Sequence, residues 1–189
     1  MLWRNKALQI SRFGRLAFAF GLAGLCAGCF QPLYGSSSAV NGTSVKDQLG
    51  AIQVQEVEAP NGTAIARLGV EVRSQLIFDF GQGQGKAINP NYALKIAMAQ
   101  TRTQVIVVST TARPDVENYG IDATYSLTDL NTKKVVVTGR TFSRVSFDIP
   151  GQQQRFAGVR GLRDAENRAA SVIADQIKQR LASYFVAGT

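Results

Sequence analysis

The stretch "YGIDATYSLTDLNTKKVVVTGRTFSRVSF", Tyr119 to Phe147, decides the fold. In its first half Tyr119, Ile121, Ala123, Tyr125 and Leu127 alternate strictly with Gly120, Asp122, Thr124, Ser126 and Thr128. Successive strand side chains point to opposite faces, so a period of two describes a strand with one buried and one polar side. "DLNTKK" supplies the polar residues of a hairpin turn, and "VVVTGRTFSRVSF" returns as a second long strand. On that returning strand Arg140, Phe142 and Arg144 share one face, which is therefore both basic and partly apolar.

Working outward, the segment from Gln154 to Phe185 changes period. Leu162, Ala165, Ala169, Ile173, Ile177, Leu181 and Tyr184 recur every three or four residues, and polar side chains fill the other faces. That is a long amphipathic helix. Upstream, Tyr92, Leu94, Ile96 and Met98 alternate with small or polar residues as another strand, which "QVIVVS" either extends or follows as a separate short piece. Ile65, Leu68, Val72 and Leu76 mark a helix of about four turns behind the N-cap candidate Thr63. Before it, "AIQVQEV" alternates as a short strand. The order β-α-β-β-β-α predicts an α+β fold: a small, mostly antiparallel sheet with two helices packed on one face, a two-layer sandwich. Residues 49–189 form its single domain.

The N-terminus has another character. Arg4, Lys6, Arg12 and Arg15 precede a short apolar run from Leu16 to Leu25, which "CAGC" closes with small residues. A positive start, a short apolar centre and small residues at the end describe an export signal over residues 1–28. The run is shorter than the roughly 20 residues of a membrane span. Cys29 then falls where a bacterial lipoprotein carries its acylated cysteine, although Cys26 stands where the usual box has Leu. A C-x-x-C redox pair needs a helix start in a folded domain, which this context does not offer. The mature chain is expected to begin at Cys29 with a covalent diacylglyceryl and N-acyl group and no other cofactor. Residues 29–48, small and polar, are expected to be a lipidated start and flexible tether.

Chemistry is constrained by what the chain lacks. It contains no histidine, which removes Ser-His-Asp, Cys-His and zinc-hydrolase arrangements. The formal charge is +8, but the four basic residues before Cys29 supply half of it, so nucleic acid is not expected as a partner. "GQGQG", Gly81 to Gly85, follows a helix rather than a strand and lacks the Gly-Lys-Ser/Thr of a phosphate loop. Asp115, Glu117 and Asp122 lack the spacing of a calcium loop. No catalytic constellation emerges, and no enzyme or metal site is expected. The remaining basic residues, Arg113, Lys133, Lys134, Arg140, Arg144, Arg155, Arg160 and Arg163, are either a solvated face or contacts to phosphates, where Arg bonds in charge-assisted pairs.

Taken together, "AGCFQPLYG", the hairpin "ATYSLTDLNTKKVVVTGRTFSRVSFD", the helix "DAENRAASVIADQIKQRLASYF" and the element order resemble the lipopolysaccharide-assembly lipoprotein family, LptE. Family starts usually read "GCGFRPLYG", one residue longer than here. The resemblance implies a non-catalytic lipoprotein of the outer membrane that faces the periplasm. It further implies a place in the lumen of an LptD-type β-barrel, which the protein plugs and helps assemble, and a role in inserting lipopolysaccharide into the outer leaflet. By position in the family, Arg113 matches a basic residue tied to lipopolysaccharide, and Arg155 lies near a second. Lys133 and Lys134, at the hairpin turn, join them as candidate contacts. The alternative is a periplasmic accessory lipoprotein of an ABC-type phospholipid transporter, which would share the signal, tether and domain.

Overall fold

A computed structural model describes residues 44–81, 83, 85–108, 113–149 and 155–187, with side chains for all of these except 106–108, 113–115 and 155. Helix α1 (Val45–Gly50) comes first, then strand β1 (Ile52–Val54) and helix α2 (Ala64–Gly81). Strands β2 (Tyr92–Val108), β3 (Arg113–Asp129) and β4 (Val135–Asp148) follow, and helix α3 (Arg155–Ala187) closes the chain. The sheet runs β1-β2-β3-β4; the three long strands are antiparallel and β1 is parallel to β2. Parallel neighbours need a crossover, which α2 provides. The expected α+β sandwich is present, with a mixed sheet.

Helix α1 corrects the expected tether, which ran through Gln48. The Ser44 hydroxyl accepts from Asp47 N–H at 3.1 Å and donates to Asp47 Oδ2 at 2.7 Å, so Ser44 caps the first turn. Val45 and Leu49, one turn apart, are buried in the core. A cap and one apolar pair suffice because the rest of the molecule supplies the packing surface.

The alternation read from the sequence sorts the sheet into two faces. Tyr119, Ile121, Ala123, Tyr125 and Leu127 of β3 are buried, as are Leu94 and Ile96 of β2 and Val137, Thr141, Ser143 and Phe147 of β4. Both α2 and α3 cover this face. Leu68, Val72 and Leu76 from α2 meet Ile173, Ile177 and Leu181 from α3 in one core. Helix α3 buries a wider stripe than expected, because Ala170, Ala174, Ala182 and Phe185 are also inside. Small alanines let the helix lie close to sheet and neighbour. The two helices run side by side in the same direction, tied by Arg67–Glu166, by Gln75 Nε2 donating to Ser171 Oγ (3.2 Å) and by Lys178–Asp79 (3.3 Å).

Strand β2 settles the question of "QVIVVS": it continues the strand across register shifts between Gln104 and Ile106 and between Ile106 and Val107. Such bulges leave a residue unpaired and increase the twist. At the other end, Asp129 organises the β3–β4 turn. Its N–H donates to Lys134 O (2.9 Å), and its Oδ1 accepts from Asn131 N (2.7 Å) and Thr132 N (3.1 Å). Lys133 takes the left-handed conformation there, φ 59°.

Tyr119 sits on the buried face with its hydroxyl donating to Gln100 Oε1 at 3.1 Å. Burial, aided by the Glu166 carboxylate and opposed by Arg67 and Arg102, pushes its phenol up to about 12. The ordinary value is 10, so the folded state resists losing this proton more than the unfolded chain does. Stability from Tyr119 is therefore complete below pH 10 and falls as pH rises towards 12. Tyr92 and Tyr125 are shifted the same way, chiefly by burial. Urea midpoints measured from pH 8 to 12 should decline, and Tyr119→Phe should make the decline shallower; an unchanged slope would remove Tyr119 from the account.

Candidate interaction surface

The face of the sheet opposite the helices carries the even-numbered side chains of β3 and β4. Register places them in rows: Ala97–Thr124–Arg140, Ala99–Asp122–Phe142 and Thr101–Gly120–Arg144. Two arginines, an aromatic and one acid thus meet at the centre of a sheet face that is bare among the described residues. Phe142 is 64% exposed, and the Arg144 guanidinium lies 5.6 Å from its ring centroid, a cation–π distance. Asp122 takes Arg144 Nη2 at 2.8 Å and has Arg140 Nη2 at 3.8 Å.

Gly120 makes this arrangement possible. Arg144 reaches across it to donate from Nη1 to Ile121 O (3.2 Å) and Ser143 O (3.0 Å). A Cβ at position 120 would stand 2.7 Å from Arg144 Cδ and 2.5 Å from Thr101 Oγ1. The long side chain therefore lies flat on the sheet because there is no side chain beneath it. The sequence shows that Arg140, Phe142 and Arg144 share a face, but not Asp122 or Gly120 as their partners. Equal parity along the hairpin was the available signal. Using it required the register, and Val136 is bulged out between Val135 and Val137 near the turn.

The four cations expected to meet phosphates do not form one cluster. Arg113 opens β3, paired with Val108, and Arg155 opens α3 just beyond the end of β4; these lie towards one end of the sheet. Lys133 and Lys134 occupy the β3–β4 turn at the opposite end, both exposed. The 17 residues of β3 separate the two ends by about 55 Å at strand rise. A single phosphorylated headgroup cannot touch both. Cys29 lies outside the described residues.

At the Arg113 end, Arg102 pairs with Glu117. The first turns of α3 expose Phe156 (87%) and Val159 (64%) beside Arg160 and Arg163. Apolar and guanidinium groups alternate on this end as they do on the bare face. Two of the acids that lack calcium-loop spacing are engaged with cations: Glu117 with Arg102, Asp122 with Arg140 and Arg144. Among the described residues no group of three or more His, Cys, Asp or Glu could hold a metal, and no helix is long and apolar enough to cross a membrane.

A small α+β sandwich with one helix-covered face and one bare face of arginine, aromatic and small residues defines the class of the protein by its shape. The chain belongs to the family described as LptE, lipopolysaccharide-assembly, whose profile it matches over residues 49–181. Among solved structures it is similar to a proposed lipoprotein from Caulobacter crescentus CB15, with a TM-score of 0.58 and 21% identity over 77% of this chain and 97% of that one. It is also similar to the rare lipoprotein B from Shewanella oneidensis, with a TM-score of 0.51 and 15% identity over 72% of this chain and 96% of that one. At these identities the likeness is one of fold. No curated protein matches the sequence.

Proposed function

We propose that the protein is a non-catalytic lipoprotein, held by acyl chains on Cys29 at the periplasmic side of the outer membrane, that plugs and helps assemble an LptD-type β-barrel and assists insertion of lipopolysaccharide. The observation that carries the reading is the family match across residues 49–181, which covers nearly the whole folded domain. The export signal and Cys29 in the sequence supply the address. One acyl chain gives only marginal anchoring, so the several chains of a lipoprotein are needed to hold the domain. The bare face suits a polar barrel lumen: around Phe142 its side chains are mostly small, hydroxylic or charged, and polar groups line such interiors. Arg113, with Arg155 towards the same end, is the position proposed for lipid A or core phosphates. Lys133 and Lys134 would serve a separate contact.

Affinity capture of the full chain from detergent-solubilised envelopes tests the reading. A large outer-membrane barrel should come down in stoichiometric amount; an inner-membrane ATPase complex in its place would overturn it. In the same preparation Arg113→Asp should weaken direct lipopolysaccharide binding while the barrel is still captured.

A further inference from the structure

A pocket of about 100 Å³ opens at the β1 edge of the sheet, between that strand, the last turns of α2 and the segment that follows. Ile77 and Phe80 are its larger apolar lining residues, and its charged lining is Arg73 and Lys86, with no acidic side chain among the described residues. Neither cation has a carboxylate partner among the described residues. Gly83 and Gly85, at φ 83° and 95°, turn the chain back after α2, and Gly83 N–H closes the helix end on Phe78 O at 3.0 Å. That return carries Lys86 to the pocket.

The strand adds donors of its own. Ala51 O accepts from Asn91 N (2.9 Å) and Tyr92 N (3.2 Å), and Gln55 N donates to Leu94 O (2.9 Å), so the odd residues here face β2. Strand alternation turns the N–H and C=O groups of Ile52 and Val54 towards the open edge. Val54 O is already taken there by Arg73 Nε at 3.2 Å, which fixes the guanidinium and leaves both Nη groups for another acceptor.

We propose that this pocket is an oxyanion site that takes one phosphate group, free or on a lipid headgroup. The donors that the lining residues offer are two guanidinium Nη groups, an ammonium and the edge N–H groups. That is more than the two oxygens of a carboxylate can use and suits the oxygens of a phosphate. The pocket is small and partly open to solvent, so it admits a compact group such as a phosphate. The site lies at the end of the sheet opposite Arg113, and it stands or falls independently of the barrel reading.

The test follows the backbone amide signals of Ile52 and Val54 in the isotope-labelled full chain, held in micelles of a maltoside detergent, which carries no phosphate. Inorganic phosphate, titrated at constant ionic strength against chloride, should shift both amides to saturation. Arg73→Gln and Lys86→Gln should each weaken that response about tenfold or more. Lys86 is exposed beyond the helix, so its variant keeps the fold. Saturation by added phosphate identifies a free anion as a sufficient ligand. The same shift in discs containing phosphatidylglycerol, without added phosphate and lost in Lys86→Gln, identifies the headgroup. An equal response to chloride, an undiminished response in both variants, or no response in either the micelles or the discs overturns the site.

Discussion

Gly139→Val should lower stability by about 3 kcal/mol, at the upper end of what overpacking a filled core costs. Position 139 faces the helices, and the Tyr125 ring from the paired strand lies directly over it. A Cβ there would come within 2.4 Å of Tyr125 Cζ and Oη. The ring cannot swing away, because Tyr125 is 7% exposed and hemmed by the core. Urea denaturation should show a lower midpoint with an unchanged slope. Combining Gly139→Val with Tyr125→Ala should be less destabilising than the sum of the two, since the second change removes the obstacle to the first. Strict additivity would refute the steric account. Gly120→Ala is the contrasting case: its Cβ meets a flexible arginine and a threonine hydroxyl, so stability should change by less than about 1 kcal/mol while Arg144 leaves Asp122.

Ile173→Asp should unfold the protein near neutral pH. Ile173 is fully buried at the centre of α3, packed in the cluster shared by both helices and the sheet. A carboxylate there would lie among the apolar side chains of that cluster, and its burial costs several kcal/mol, a large share of the 5–15 kcal/mol that holds a typical domain. The fold would hold the new acid's pKa above its unfolded value of about 3.9, so the penalty from charge grows as pH rises above that value and vanishes below it. Ile173→Asn separates the charge from the loss of shape, being similar in size and neutral at every pH. The two variants should be equally stable below about pH 4 and diverge above it, with Asp the weaker. Equal midpoints at pH 7 would show that water reaches position 173.

Much of this architecture was legible because its signals are long. Alternation over Tyr119–Leu127 and a three-or-four spacing over Leu162–Tyr184 each span enough residues for the period to be unambiguous. Short elements escaped. Helix α1 is six residues in a polar run, and only its packing on the domain makes Val45 and Leu49 informative. The bare face was half legible: Arg140, Phe142 and Arg144 announce themselves on one strand, whereas Asp122 and Gly120 join them only through a register that a bulge displaces. The spread of the four candidate cations over both ends is likewise a matter of strand length, which residue type alone does not convey. The pocket at β1 escaped for a related reason. "GQGQG" lacks the phosphate-loop pattern, and the residue that follows it, Lys86, joins Arg73 at one pocket only in three dimensions.

The unequal lengths of the strands give the molecule a stiff base and a slender spar. β1 braces β2 only at Tyr92–Leu94, and β4 stops bracing β3 at Val116. Past Leu94 the sheet has three strands, and only its last residues form a two-stranded spar, where Val107 and Val108 of β2 pair with Pro114 and Arg113 of β3. A lone pair of strands is at best marginally stable in water. Loads applied at the base are therefore shared by the whole sandwich, whereas the spar, which carries Arg113, bends at little energetic expense. A part built this way conforms to whatever it is pressed against, and the domain behind it keeps its shape.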